Sequence, residues 1–287
     1  MKKITIETIS GLGNRMMALD SAISYCKKHN YELHLIWPLF RGLNIKFEHL
    51  FKIPKIVKSI KYPCEYSKSK IIINLKVGRR KLLKLFTDHR YDKIIDKRSP
   101  ELITDRLVIP NCLTEGENLR LNLVFENIFI RTDRRFFNNP APYAELVPTD
   151  EIRSEIEKIK SKIPVHSSIG LHIRRTDNIW AIEHSPMSAF LDKIQSTLDK
   201  DPQSLFYLAT DSPEVETDLK NRFGKSIIGY KKPSLSRDED LGMKHALIEL
   251  LLLSSTKKII GSYGSSFSVV ASELGNIPLE IVTGESS

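Results

Sequence analysis

Cysteine is scarce in this 287-residue sequence: Cys26, Cys64 and Cys112 are the only three, scattered along the chain. That excludes a disulfide framework and a zinc site, which need more thiols at closer spacing. Long apolar runs are also missing. The longest candidate, Ala246–Leu253, is interrupted by Glu249 and falls well short of the ~18 apolar residues of a membrane span. At the N-terminus Lys2 and Lys3 lead straight into the alternating Ile4–Ile9, with no apolar h-region and no cleavage site. A soluble cytoplasmic protein without a signal peptide is expected. No G-x-S-x-G elbow occurs, which disfavours the common α/β serine hydrolases, and no H-E-x-x-H pair suggests a metalloprotease. The D-x-D pattern at Asp238-Glu239-Asp240 reads as acid at a helix N-terminus, so no metal is expected.

What is present is an ordinary globular mixture, 41% hydrophobic and 28% charged, long enough for one large domain or two of common size. The net charge of +9 is unevenly placed: residues 52–98 carry 15 Lys/Arg and 4 Asp/Glu, a net of +11, leaving −2 for the other 240 residues. Such a segment suits nucleic acid, an anionic membrane surface or an acidic substrate, or is simply a solvated face. Nucleic-acid binding is disfavoured, since 52–98 offers only Tyr62, Tyr66, Phe86 and Tyr91 among its basic residues and no recognisable module.

Patterning gives the fold class. Ile4–Ile9 alternates, Ser10-Gly11-Leu12-Gly13-Asn14 turns, Met16, Leu19, Ala22, Ile23 and Cys26 recur at helical spacing, and Glu32–Trp37 alternates again: a βαβ unit. From about 38 to 135 only short apolar runs stand out, at Lys70–Leu75, Arg106–Ile109 and Val124–Ile130. Asn138-Asn139-Pro140-Ala141-Pro142-Tyr143 reads as a linker or domain edge. Beyond it the spacing predicts helices over Asp150–Lys162, from Ser185-Pro186, from Ser212-Pro213 to Gly224, over Leu241–Ser254 and over Ser265–Leu274. Strands are predicted at Ser168–Arg174, Leu205–Ala209, Ser226–Ile228, Lys258–Ile260 and Leu279–Val282. The alternation predicts an α/β protein of two doubly wound domains, 1–145 and 146–287.

In open parallel sheets ligands bind beyond the carboxyl ends of the strands, and four predicted strand ends carry polar groups: Gly11-x-Gly13-Asn14-Arg15, His172-Ile173-Arg174-Arg175-Thr176-Asp177, Thr210-Asp211-Ser212, and Gly261-Ser262-Tyr263-Gly264-Ser265-Ser266. If the second strand ends near Ile173, Arg174 and Arg175 can both reach an anion with their planar donor forks, and Asp177 can hold one of them. The competing reading is a structural Arg–Asp pair, with His172 a polar core residue. The 261–266 turn has the composition of a backbone anion nest or an ordinary capped turn, and lacks the lysine of a nucleoside-triphosphatase loop. Asp211 either binds a hydroxyl or caps the next helix.

The runs Leu171–Asp177, Phe206–Pro213 and Ile248-Glu249 through Ser265-Ser266 resemble the three C-terminal motifs of GDP-fucose-dependent fucosyltransferases, in order and spacing over about 110 residues. The pattern is that of α1,6- and nodulation fucosyltransferases, and Gly11-Leu12-Gly13-Asn14 is similar to the first motif of α1,2- and protein O-fucosyltransferases. The resemblance implies a GT-B fold, two Rossmann-like domains facing across a cleft, and an inverting, metal-independent transfer of fucose from GDP-fucose to a glycan or glycoconjugate. No cofactor is implied beyond the donor substrate. By position, Arg174 and Arg175 hold the diphosphate, with Arg174 most needed for turnover; His172 and Glu249 lie at the guanine; Gly11, Gly13, Asn14, Asp211, Ser265 and Ser266 line the donor pocket. Asp177 orients the arginines. Glu183 falls near the base, with Asp177 the alternative. Asn178 stands where the closest relatives often carry lysine. In this scheme the N-terminal domain is the acceptor side, and 52–98 contacts an anionic acceptor or the membrane surface bearing it. The competing enzyme is a GT-B transferase of another nucleotide sugar.

Overall fold

The computed structural model describes residues 2–40, 42–63 and 126–284, and the backbone of 93–96. The chain divides into two compact units, Met1–Val147 and Pro148–Ser287, each built on a five-stranded parallel sheet. Within the first unit the Lys52 amide donates to the Val147 carbonyl at 2.8 Å.

In the first unit β1 (Lys3–Thr8), β2 (Glu32–Ile36), β3 (Val57–Lys61), β4 (Lys93–Asp96) and β5 (Asn127–Thr132) lie in the order β3-β2-β1-β5-β4. α1 (Leu12–His29) joins β1 to β2. Lys27, Lys28 and His29 occupy its last turn, where the macrodipole favours cations, and Asn30 closes it in the left-handed region. Its apolar face (Met16, Leu19, Ala22, Ile23) is fully buried with Ile4, Ile6, Leu33 and Leu35 of the strands. Cys26 is buried here, and burial pushes its thiol up to about 12, so it is inert at neutral pH. The 138–143 stretch is no loose linker: Asp20 of α1 accepts hydrogen bonds from Asn139 Nδ2 and the Tyr143 amide, each 2.8 Å. The runs expected at Lys70–Leu75 and Arg106–Ile109, and most of the basic segment, including Arg79 and Arg80, lie outside the described residues.

The second unit opens with α2 (Asp150–Lys160). β6 (Ile169–Ile173), β7 (Phe206–Thr210), β8 (Ile227–Ile228), β9 (Ile259–Ser262) and β10 (Leu279–Val282) follow in the spatial order β10-β9-β6-β7-β8. This is the doubly wound order, with the chain reversing direction across the sheet between β6 and β9. The helices are α3 (Ile179–His184), α4 (Met187–Lys200), α5 (Pro213–Phe223), α6 (Asp240–Leu253) and α7 (Ser266–Gly275). The two faces of β6 explain the layering. Leu171 and Ile173 pack with Phe190 and Ile194 of α4 and Leu219 of α5. On the other face, a Cβ at Gly170 would come within 2.7 Å of Leu253 at the end of α6, and His172 meets Ser268 of α7. α3 is not among the helices expected from the sequence; it is short, and its Ile179 and Trp180 are exposed, so no apolar stripe marks it.

A close approach fixes the start of α6. A Cβ at Gly242, in the first turn of this helix, would lie 1.9 Å from the Ser236 carbonyl oxygen, so glycine lets the 229–239 connection press against the helix. Gly242→Ala forces that backbone away, and a loss of about 1–3 kcal/mol in unfolding free energy is expected, as for other overpacked sites, read from urea denaturation.

Candidate functional site

The reversal between β6 and β9 places the Arg174–Asp177 and Ser262–Ser266 segments side by side at the carboxyl end of the sheet, where doubly wound folds bind ligands. β6 ends at Ile173, which frees the two arginines to diverge. The Arg174 amide donates to Ser262 Oγ at 3.0 Å, and Ser262 Oγ donates to the His172 carbonyl at 3.3 Å, stitching the two strand ends. Thr210 at the end of β7 donates its hydroxyl to the Ile173 carbonyl at 2.8 Å.

Asp211 then organises the turn. Its Oδ1 accepts the Arg175 amide at 2.8 Å and its Oδ2 the Thr176 hydroxyl at 2.6 Å. It does not cap α5; Ser212 does, accepting the Val215 amide. Burial pushes the Asp211 carboxyl up, but the Thr176 and Arg175 hydrogen bonds and the Arg174 charge outweigh it and hold the group below the usual carboxylate range. The Arg174 guanidinium pairs with Asp177 Oδ1, and its Nε lies 3.3 Å from Asp211 Oδ2 without a hydrogen-bond partner. Arg175 points elsewhere. Its guanidinium bonds the Ser185 carbonyl and sits 5.7 Å from the Phe190 ring, so the structure separates the two guanidiniums that the sequence pairs.

In the turn after β9, Gly264 takes φ +64° and Ser265 precedes α7 without a side-chain cap on the helix amides. Those free first-turn N–H groups and the helix dipole favour an anion. His172 is sealed: Nδ1 lies 2.8 Å from Ser268 Oγ and the ring stacks on Phe267 at 4.9 Å. Burial, with the Arg174 charge, depresses it to about 3, so it is a neutral imidazole. Glu249 of α6 is buried and pairs with Lys232 at 2.6 Å; burial pushes its carboxyl up and Lys232 only partly counters this. Glu183 is exposed on α3. Gly11, Gly13 and Asn14 belong to the first unit, where Gly11 precedes α1 as its N-cap residue and the Arg15 guanidinium lies buried 4.7 Å from the Trp37 ring. Glu239 precedes α6 and Asp240 begins it.

Two site residues escape sequence reasoning. Arg237 places Nη1 2.7 Å from Asp177 Oδ2 and Nη2 3.7 Å from Asp211, and Lys232 reaches both Glu249 and the Thr210 carbonyl. Both come from the 229–239 connection after β8. Their one sequence signal is a cluster of basic residues following a predicted strand end.

A buried neutral imidazole destabilises the fold in acid. His172 binds no proton in the native state until about pH 3, whereas the unfolded chain binds one near 6.5. Stability therefore falls as pH drops from about 6.5 to 3, by on the order of 1 kcal/mol per pH unit from this residue alone. Urea midpoints measured across that range should show a flatter slope in His172→Gln than in the wild type.

No protein-family model and no curated protein sequence matches the chain. Solved structures do. The fucosyltransferase NodZ from Bradyrhizobium superposes with a TM-score of 0.56 at 16% identity, over 94% of this chain and 92% of that one. A mutant of Arabidopsis thaliana FUT1 in complex with GDP gives a TM-score of 0.57 at 16% identity, over 98% of this chain and 70% of that one. POFUT1 in complex with GDP-fucose gives 0.55 at 11% identity, over 98% of both chains. The fold of this chain is therefore the α/β fold of these GT-B fucosyltransferases.

Proposed function

We propose that the protein transfers fucose from GDP-fucose to a hydroxyl of a glycan or glycoconjugate, with inversion and without a resident metal ion. The observation that carries this is Arg174. It stands where the order of β6 and β9 reverses, its Nε–H has no hydrogen-bond acceptor, and the uncapped start of α7 follows β9, the strand beside β6. A diphosphate supplies the missing acceptor oxygens. The strand-end motifs shared with fucosyltransferases, and the GDP or GDP-fucose bound in structures of similar fold, select the nucleotide and the sugar.

In this reaction the acceptor oxygen bonds to the anomeric carbon while the bond from that carbon to the β-phosphate oxygen breaks. The acceptor proton passes to a carboxylate, and GDP leaves with the added negative charge. Arg174, Arg237 and the α7 amides meet that charge in fixed positions, the arrangement that stabilises a transition state without reorganisation. Arg175 contributes through its amide on Asp211, holding the turn. Glu183, exposed on α3, is the general base in this proposal, with Asp177, which pairs with Arg174 on Oδ1 and Arg237 on Oδ2, as the alternative.

Arg174→Ala should lower turnover at least ~100-fold with the fold intact by circular dichroism, the scale of a lost transition-state charge contact. Wild-type turnover in that variant would sink the scheme. Turnover should persist in EDTA. Calorimetric titration with GDP-fucose and UDP-sugars separates this donor from that of another GT-B transferase.

Glu183→Gln should lose kcat by about 100-fold or more while GDP affinity is unchanged, as expected for a base that touches only the acceptor. The same split in Asp177→Asn, with Glu183→Gln near wild type, would move the role to Asp177.

The basic segment is assigned to the acceptor side, against an anionic acceptor or the membrane surface carrying it. Lys52, Lys55, Lys58 and Lys61 are all exposed. Reversing these four charges to Glu should weaken acceptor use or binding to anionic vesicles and leave GDP affinity alone. No change in either measurement would reduce the segment to a solvated face.

A further inference from the structure

α3 turns its apolar side chains outward. Of the seven large hydrophobic residues exposed among the described residues, three are its Ile179, Trp180 and Ile182, at 65%, 66% and 39%. Exposed apolar residues scattered singly need no explanation, but three within four positions make a patch. The helix that carries them is firmly held. Its cap Asn178 donates from Nδ2 to the Gly264 carbonyl at 3.5 Å, and the Gly284 amide donates to the His184 carbonyl at 2.9 Å. Just past its end, Ser185 Oγ accepts the Tyr263 amide at 2.8 Å. So short a helix has little stability of its own, and these anchors supply it.

Trp180 is braced in addition by other rings. It leans on His184, centroids 5.3 Å apart and planes at 34°, and His184 stacks on Tyr263 at 4.7 Å and 17°. A ladder of rings thus runs from the 261–266 turn out to the exposed indole. At about 3.6 residues per turn, Glu183 falls between Ile179 and Trp180 on the exposed arc, and the buried Ala181 lies on the far side.

A carboxylate set between an indole and an aliphatic side chain selects among occupants. A lipid layer strips water from the Glu183 charge, which is costly without a partner. Nor does α3 carry a lysine or arginine to hold an anionic ligand. A pyranose ring suits both parts of the surface, with C–H bonds on its faces and hydroxyls round its edge. The negative face of an indole attracts the positive ends of such C–H bonds.

We infer that Trp180 is the stacking platform of an acceptor subsite, taking the C–H face of a neutral sugar ring whose hydroxyls are equatorial and turning the edge of that ring toward Glu183. The inference rests on the glycosyl-transfer reading of the site and adds the chemistry of the acceptor ring. Equatorial hydroxyls leave only C–H bonds standing on the face, whereas an axial hydroxyl comes between ring and indole. Residues three apart on a helix hold their Cβ atoms ~5–6 Å from one another, a span that one sugar ring bridges. A ring on Trp180 therefore has hydroxyls within reach of the carboxylate assigned as base. The place on the sheet edge agrees, since Asp177, which pairs with Arg174, stands two residues before Ile179.

The protein carries its own reporter, because it has two tryptophans and Trp37 is fully buried. Acrylamide therefore quenches the fluorescence of Trp180 selectively. The probe is cellotetraose, a neutral chain of all-equatorial rings, added to protein already saturated with GDP. It should shield the indole, lowering the quenching constant, and should bind in calorimetric titration. Trp180→Ala should weaken cellotetraose by about tenfold or more, the scale of a lost aromatic contact, with GDP affinity unchanged. Trp180→Tyr should keep most of the binding, and Trp180→Leu should not. Leucine matching tyrosine, or quenching that ignores cellotetraose, overturns the inference. So does shielding by phosphatidylcholine vesicles without shielding by cellotetraose, which makes the patch a lipid contact. Shielding by GDP alone gives the indole to the donor and overturns it too. Absence of GDP binding in the first titration overturns the transferase reading itself, an outcome distinct from GDP binding with an indole that no sugar covers.

Discussion

The Asp211 carboxylate is the fixed point of the second unit. It sits at the end of β7, yet its hydrogen bonds go to the chain leaving β6: the Arg175 amide on one oxygen, the Thr176 hydroxyl on the other. Without a partner strand the amides after Ile173 would need water, and the turn would be one of many. With Asp211 in place the chain turns at once, and the Arg174 side chain stays at the sheet edge, 3.3 Å from the same carboxylate. A charged acceptor forms stronger hydrogen bonds than a neutral one, and here they outweigh the cost of the group's partial burial. Everything downstream inherits that geometry: the place of Arg174, the reach of Arg237, and the start of α3 at Ile179, capped by Asn178.

The 229–239 connection is the second constraint. Tyr230 meets His245 at 3.2 Å, Lys232 meets Glu249, Arg237 meets Asp177, and the Ser236 carbonyl presses on Gly242. Four anchors along one connection make it part of the packed body. It joins two clusters at the carboxyl edge of the sheet, since Arg237, which touches Asp177 and Asp211, and Lys232, which touches Glu249, are five positions apart in one segment. Helix and connection must fit together, which explains a glycine in the first turn of a helix that otherwise has no use for one.

The regular part of this fold is legible in the sequence because its periodicity is strong. Phe206–Thr210 is an unbroken buried strand, α2 carries Ile152, Ile156 and Ile159 on one stripe, and Ser212-Pro213 marks its helix start by the chemistry of capping. The strand-end motifs are legible for the same reason: a polar cluster directly after an apolar run has few other places to go in a parallel sheet. What does not show is contact at long range. Nothing local says that Arg237 reaches Asp177, 60 positions away, or that Lys232 crosses to Glu249. Arg174 and Arg175 look equivalent in sequence, and only the Ser185 carbonyl and the Phe190 ring, which claim Arg175, tell them apart. α3 escapes because a helix of six residues with exposed apolar side chains has no periodicity to read.

The balance of charge in the site also bears on how an anion would enter. Arg174 and Arg237 face Asp177 and Asp211, two cations against two anions, so the cluster is close to neutral as it stands. The two carboxylates are not equivalent. Asp177 is 54% exposed, and exposed ion pairs contribute ~0–1 kcal/mol, so its hold on the guanidiniums is easily surrendered. Asp211 is 18% exposed and fastened by backbone and hydroxyl donors that no anion can replace. On the proposed reading, an arriving diphosphate would compete with Asp177 and leave Asp211 where it is. The guanidiniums are held in place beforehand at little cost. That division of labour, one carboxylate to build the turn and one to yield, explains two acids beside two arginines better than either a permanent structural pair or a bare basic pocket, which would repel its own members while empty.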